Sequence, residues 1–380
     1  MFPAAVRLAA VIGILAPALL LAREPAGRVA PTRPESMAPV ANSRAATSGK
    51  SLALPLTRIG GMEFISLRDL AGQLRWKMAW VQPDHRLALS DSSGRIELTA
   101  GSREALVDGL RVFLGNPVIL KGGVLYVSKT DYQRCLMPLF RPSLLGPLLA
   151  RPKVIVIDPG HGGTDNGMEN KPMRLKEKVL TLDVALRLRK LLEARGYKVV
   201  LTRSDDRQLG PTKLADFINR AVITNRAKAD LFVSIHFNSL YPDTKTSGTE
   251  VYTFTRAGQR SDHSWGFGSQ DDADPTPSEI NRFDPWSSLL AHSLHREVIA
   301  SLKTTDRGQK TMHLAVLRNL KCPGVLVESI FLSNEAEAKR AATPAYLQRI
   351  AQALASGIDD YADALEKFSP KPAAIRGVTR

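Results

Sequence analysis

Two histidines and two glutamates stand where they could hold a metal ion and move a proton. His161 lies in Val154-Ile-Val-Ile-Asp-Pro-Gly-His-Gly-Gly-Thr-Asp165, where a buried apolar run enters a glycine-rich turn. The glycines let the backbone bend tightly and leave the imidazole free. His236 ends a second apolar run in Leu231-Phe-Val-Ser-Ile-His-Phe-Asn-Ser239. Ligands gather outside the carboxyl ends of strands in open α/β sheets, so two strand-end histidines can converge there although they are far apart in sequence. Zinc suits the pair, because it takes imidazole nitrogen and its catalytic sites commonly add one glutamate and an open water position.

Glu177 is the best-placed third ligand, at the entry to the helical pattern Val179-Leu-Thr-Leu-Asp-Val-Ala-Leu-Arg-Leu-Arg-Lys-Leu-Leu192. An acid in a first helical turn also complements the macrodipole and satisfies amide donors, so spacing alone leaves both readings open. Glu328 follows the apolar strand Val325 to Val327, where a carboxylate is costly to bury without a partner. It reads either as an acid/base beside a water or as a solvent-exposed loop acid. Cys135 and Cys322 lie in no motif that would activate a thiolate, and Cys322, before a proline, reads as core. His292 and His295, three apart on an apparent helix from Leu289 to Leu302, have a spacing that can bind metal but more often marks a half-exposed helix face. His85 and His263 have no strand-end glycine context, and His313 is a candidate for lining a cleft.

The elements that must position these groups are strands near 154–157, 198–202, 231–235, 249–254 and 325–327, with helices at about 178–194, 213–227, 286–302 and 344–365. This predicts an α/β fold with a mixed, mostly parallel central sheet flanked by helices and the metal site at one sheet edge. Short strands around one helix between 51 and 142, with a hairpin signal at Asp108-Gly109, predict a small α+β domain in front of it. The expected organisation is a signal peptide or anchor at 1–22, a linker at 23–50 rich in Ala, Pro, Ser and Thr, the small domain at 51–142, a catalytic domain at 150–365 and a basic tail at 366–380.

The ordered motifs from about 150 to 360 resemble the zinc-dependent N-acetylmuramoyl-L-alanine amidases. They are Ile157-Asp-Pro-Gly-His-Gly-Gly-Thr-Asp165, Glu177-Lys178, Gly196-Tyr-Lys-Val-Val-Leu-Thr-Arg203, the Arg220 and Asn225 pair, Ser234-Ile-His-Phe-Asn238, Gly248-Thr-Glu-Val-Tyr252, Leu314-Ala-Val-Leu-Arg318 and Pro323-Gly-Val-Leu-Val-Glu328 through Asn334. The resemblance implies that His161, Glu177 and His236 hold Zn2+ and that Glu328 is the catalytic acid/base. It further implies hydrolysis of the amide between N-acetylmuramic acid and L-alanine of the peptidoglycan stem peptide, with an activator protein as a further partner. Phe237 and Ile330 depart from the small residues usual in the family, and are expected to narrow the cleft or reshape the peptide subsite. Asn166 stands where a proline is often found. The small domain resembles the amino-terminal domain of copper amine oxidases through Ile65-Ser-Leu-Arg-Asp-Leu-Ala71, Trp80, Val107-Asp-Gly109 and Gly123-Val-Leu-Tyr-Val127, and a wall-binding or spacing role is expected of it.

Charge and composition weigh the alternatives. The net charge of +15 raises nucleic-acid binding, but the basic residues are scattered, no nucleic-acid motif is present, and an export signal removes the chain from nucleic acid. Attraction to an anionic wall or outer lipid surface explains the charge more simply. The second rival, a non-catalytic peptidoglycan-binding module, is opposed by the full set of four site residues. Arg7 before the apolar run Leu8 to Ala22 predicts export to the periplasm or cell envelope, either cleaved or anchored. The polar stretch Gly258 to Ala273, with Trp265 and Phe267, is expected to be a substrate-contacting loop, a lid or an inert loop.

Overall fold

The computed structural model describes residues 54–92, 94–142, 150–262 and 272–368. The expected export segment and linker, His263, the centre of the 258–273 loop and the chain after 368 lie outside the described residues. The amino-terminal part begins with β1 (Leu56–Ile59) and β2 (Met62–Ser66), followed by α1 (Leu67–Leu74), which Ser66 caps by accepting from the Asp69 amide. A meander then runs through β3 (Lys77–Gln82), β4 (Arg86–Asp91), β5 (Gly94–Thr99), β6 (Glu104–Val107) and β7 (Leu110–Phe113). Asp108-Gly109 makes the predicted turn between β6 and β7, both residues having positive φ. β8 (Ile119–Lys121) and β9 (Val124–Ser128) complete a four-stranded sheet with β1 and β2. The part closes with α2 (Lys129–Asp131), a π-helical turn at Tyr132–Leu136 and α3 (Met137–Phe140) around its own apolar core.

The second part carries β10 (Val154–Pro159), β11 (Glu169–Asn170), β12 (Leu175–Lys176), α4 (Glu177–Ala194), β13 (Lys198–Leu201), α5 (Lys213–Arg226), β14 (Leu231–Asn238) and β15 (Thr249–Phe254). It continues with α6 (Asp284–Leu302), β16 (Asp306–Met312), α7 (Ala315–Arg318), β17 (Gly324–Phe331), α8 (Glu335–Ala341) and α9 (Pro344–Phe368). The strands stand in the order β13-β10-β14-β17-β15-β16, parallel except that β15 runs antiparallel to β17. This is the expected mixed, mostly parallel sheet. It does not stop at β16, because a parallel bridge between Gln309 and Val112 joins β16 to β7 and continues the sheet through β6, β5 and β4 to β3.

Helices α4, α6 and α9 cover one face of the sheet in this second part over a core that includes Ile155, Val184, Leu188, Leu294, Val327 and Ile358. The other face packs Val156, Phe232, Tyr252 and Leu326 against Ala221 of α5 and Leu317 of α7. Burial on both faces is why these strands read as near-continuous apolar runs.

Three expectations change. β16 was not foreseen, because Asp306-Arg-Gly-Gln-Lys-Thr-Met312 has no apolar period. His292 and His295 are buried on α6, not half-exposed, and His295 Nε2 lies 2.6 Å from Asp306 Oδ1. Phe237 and Ile330 point into the core under α4 and α9, away from any cleft. Phe237 does so by simple alternation with His236. Ile330 does so because the β14–β17 register slips after His236 and Glu328, so that Asn238 faces Phe331.

Ile330→Ala should therefore cost about 2–5 kcal/mol of stability, the usual range for emptying a core aliphatic site. Urea unfolding measures this, and substrate affinity should stay unchanged.

Candidate active site

Asp158, at the end of β10, is fully buried and receives three donors. Thr202 Oγ1 donates at 2.5 Å and Arg220 Nη1 at 2.7 Å to Oδ1, while Ser234 Oγ donates at 2.7 Å to Oδ2. Burial alone would raise the Asp158 pKa, but Arg220 and the two hydroxyls reverse this and hold the carboxyl below its usual range. Arg220, on α5, is held at its other edge by Asp216 at 2.6 Å. It also donates to the carbonyls of Pro159 and His161, both at 2.9 Å. Arg203 donates to the carbonyls of Pro159 and Gly160, at 3.0 and 2.8 Å. Two guanidinium groups thus clamp three successive carbonyls of the turn that carries His161.

His161 has φ +61, a left-handed conformation uncommon for a residue with a Cβ. That backbone turns its ring inward. Its Nδ1 lies 2.9 Å from Asp165 Oδ2 and its Nε2 lies 3.1 Å from Glu177 Oε2. His236 Nδ1 lies 2.9 Å from Glu177 Oε1, and the two imidazole rings meet edge to face with centroids 4.9 Å apart. Two glycines make this approach feasible. A Cβ on Gly160 would stand 2.3 Å from the His236 ring, and one on Gly167, at φ +64, would stand 2.5 Å from Glu177 Oε2.

Glu177 opens α4, whose amino terminus has no side-chain cap hydrogen bond. The carboxylate turns away from its own helix and accepts from the amides of Met168 at 2.8 Å and Phe237 at 3.1 Å. Glu177 thus opens the helix, accepts amide donors and lies beside both histidines at once. The ligand atoms of His161, Glu177 and His236 lie within 4.8 Å of one another, the one such His/Cys/Asp/Glu group among the described residues. Two imidazoles and a carboxylate, with His161 held by Asp165 and Glu177 by two backbone amides, are a donor set that fits zinc. Burial acts to lower the His161 pKa, but the Glu177 carboxylate and Asp165 outweigh it and push it up to about 10. Burial wins at His236, whose pKa falls despite Glu177.

Glu328 stands opposite His236 in the β14–β17 register and opposite Glu250 in the β15–β17 register. It sits within β17, not at its carboxyl end, because the strand runs on to Phe331. Its Oε2 is buried without a hydrogen-bond partner. Burial first, then the negative charges of Glu177 and Glu250, raises its pKa well above the carboxylate range. All four predicted site residues therefore come from the carboxyl-terminal halves or ends of interior strands and from the head of α4, not from a lateral edge of the sheet. Asn166 extends the same turn, donating through Nδ2 to Glu169 at 2.8 Å.

Sequence reasoning placed no weight on Glu250. This fully buried carboxylate accepts from Lys310 Nζ at 2.8 Å, Arg307 Nε at 2.7 Å, Asn238 Nδ2 at 3.0 Å and the Tyr252 hydroxyl at 2.5 Å. A glutamate inside a β-branched and aromatic strand, Thr249 to Phe254, was the available signal. His313 lies beside Ser261, 3.1 Å from its hydroxyl, and packs edge-on to Phe254. His85 is exposed. Cys135 and Cys322 are free and buried, and burial raises their thiol pKa values to about 11 and about 12, which suits inert core residues.

Arg220→Met should leave Asp158 charged and unpaired in the core. The expected loss is about 3–5 kcal/mol in chemical denaturation, the range seen when one partner of a buried ion pair is removed.

Residues 155–360 match the family described as N-acetylmuramoyl-L-alanine amidase, and residues 48–131 match the copper amine oxidase N-terminal domain. An uncharacterized cell wall amidase of Bacillus anthracis is 32% identical over 55% of this chain, which spans only 35% of that relative's length. The germination-specific N-acetylmuramoyl-L-alanine amidase of Bacillus subtilis (strain 168) is 30% identical over 55% of this chain and 79% of its own. Among solved structures, the CwlD amidase from Clostridioides difficile in complex with the GerS lipoprotein is 30% identical, covering 56% of this chain and 98% of that one, with a TM-score of 0.46. The family match covers more than half of the sequence and contains every residue of the site: the chain belongs to the N-acetylmuramoyl-L-alanine amidase family.

Proposed function

We propose that this chain is a zinc-dependent peptidoglycan amidase that cleaves the bond between N-acetylmuramic acid and the L-alanine of the stem peptide. The observation that carries the reading is the strand register that sets the unpartnered Glu328 carboxyl beside His236 and the Glu177 carboxylate. His161, Glu177 and His236 would hold the ion. When bound, zinc supplies Lewis acidity toward an amide carbonyl and lowers the pKa of water.

The chain's own residues do the rest. Asp165 fixes the His161 ring through Nδ1, leaving Nε2 directed at the site. The amides of Met168 and Phe237 fix the Glu177 carboxylate. Glu328 takes a proton from the attacking water at its free carboxylate oxygen and delivers it to the departing alanine nitrogen. A carboxyl whose pKa is raised by burial and by like charges is suited to both halves of that transfer.

Action on peptidoglycan implies export to the periplasm or cell envelope, in keeping with the apolar segment Leu8 to Ala22. Among the described residues, no helix is long and apolar enough to cross a membrane. A protein activator is a further element of this reading, and the complex of the C. difficile relative with a lipoprotein supports looking for one.

Metal analysis combined with stem-peptide release from purified peptidoglycan tests the proposal. Wild type and Glu328→Ala should both contain one zinc per chain, with muramyl–alanine cleavage only in the wild type and a loss of about a hundredfold or more in the variant. His236→Ala should lose the metal as well as the activity. A zinc-free wild-type chain that binds wall without cutting it would favour the binding-module alternative.

A further inference from the structure

The copper amine oxidase-like domain is joined to the amidase domain by a seam of buried, specific contacts, unlike a module tethered only by a linker. On one side, Asp131 is fully buried and accepts from the amides of Gly115 and Asn116 within its own domain. It also accepts from Gln259 Nε2 of the amidase domain at 2.9 Å. Gly115 is a glycine because Gln259 packs on it, and a Cβ there would stand 2.1 Å from that side chain. Arg103 pairs with the buried Asp262 at 2.6 Å, and Arg134 pairs with the buried Asp284 at 2.9 Å. Three separate polar locks therefore cross the seam.

The contact that reaches the active site runs along β16. β7 lies beside it, and the Arg111 amide donates to Asp306 Oδ2 at 2.8 Å. Asp306 Oδ1 meets His295 of α6, so one carboxylate ties both domains to the same helix. Phe113, the last residue of β7, packs against Gly308, where a Cβ would stand 2.7 Å from the ring. The same ring lies 5.5 Å from the Lys310 ammonium. Lys310 is buried and donates to Glu250 at 2.8 Å, and Glu250 faces Glu328 across the β15–β17 pair while also holding Asn238, two residues beyond His236. Without β7, β16 would be a sheet edge with an exposed backbone and a lysine in contact with water.

We propose that the amino-terminal domain is a positioning part of the amidase: docked along β16, its Phe113 fixes Lys310, and through Lys310 and Glu250 it sets the strand that carries Glu328. This inference rests on the amidase reading above. Phe113 and Lys310 act through other residues and touch no reacting atom, so their effect belongs in kcat, with little change in KM.

The test uses the full-length chain and a soluble muramyl-peptide fragment. Phe113→Ala and Arg103→Ala should each lower kcat by about tenfold or more, the scale expected of a small misplacement in a catalytic constellation. KM should stay within about twofold by the same reasoning, and zinc content should not change. Deuterium uptake over 306–312 should rise in both variants. Phe113→Tyr, which keeps the ring, should restore kcat, and Leu120→Ser, on the exposed β8, should match the wild type. The proposal is overturned if kcat is unchanged in Phe113→Ala and Arg103→Ala while 306–312 exchanges faster, since the seam would then be loosened without consequence. It is equally overturned if exchange over 306–312 does not respond to either variant. A wild-type chain that releases no peptide would instead overturn the amidase reading, a distinct result, and the exchange data would still decide whether the seam holds β16.

Discussion

Asp158 and Arg220 are both almost wholly removed from water, and each has the other as its principal opposite charge. A buried pair of this kind contributes little net stability, because desolvation offsets most of the attraction. Its value lies in what it orders. Arg220 and Arg203 use their remaining donors on the carbonyls of Pro159, Gly160 and His161, so a turn that glycine would leave loose has a single conformation. His161 is held with positive φ by that clamp, and the ligand set depends on the direction in which its ring points.

A second constraint is register. Glu250, Glu328 and His236 occupy matched positions on β15, β17 and β14, which places a strip of ionisable groups across the interior of the sheet. Such a strip is costly unless each member is paired. Glu250 is paired with Lys310 and Arg307, and Glu177 with both histidines, while Glu328 alone retains a buried oxygen without a hydrogen bond. The unpaired member is the one assigned the proton transfer. The same logic joins the two domains, since Lys310 must be buried to meet Glu250 and the amino-terminal domain helps to bury it.

Much of this was legible in the sequence. The apolar runs at 154–157 and 231–235 announced interior strands, and the residues ending them announced a site. What stayed hidden depended on distant partners. β16 went unassigned because Gln309, Lys310 and Thr311 are buried through polar contacts with α6, Glu250 and Asp262, which no local period reveals. His295 looked half-exposed because its partner Asp306 lies on another element. Phe237 could have been assigned to the core from its alternation with His236. Ile330 could not, because the register slip that turns it inward is a property of the β14–β17 pair.

The central claim is that a metal site is prebuilt by the clamped turn, the head of α4 and β14. Anomalous diffraction at the zinc edge from crystals of the full-length chain tests it most directly. A single peak within bonding distance of His161, Glu177 and His236 is the expected result. A peak at other residues, or no peak in a protein that still releases stem peptides after exhaustive chelation, would contradict it.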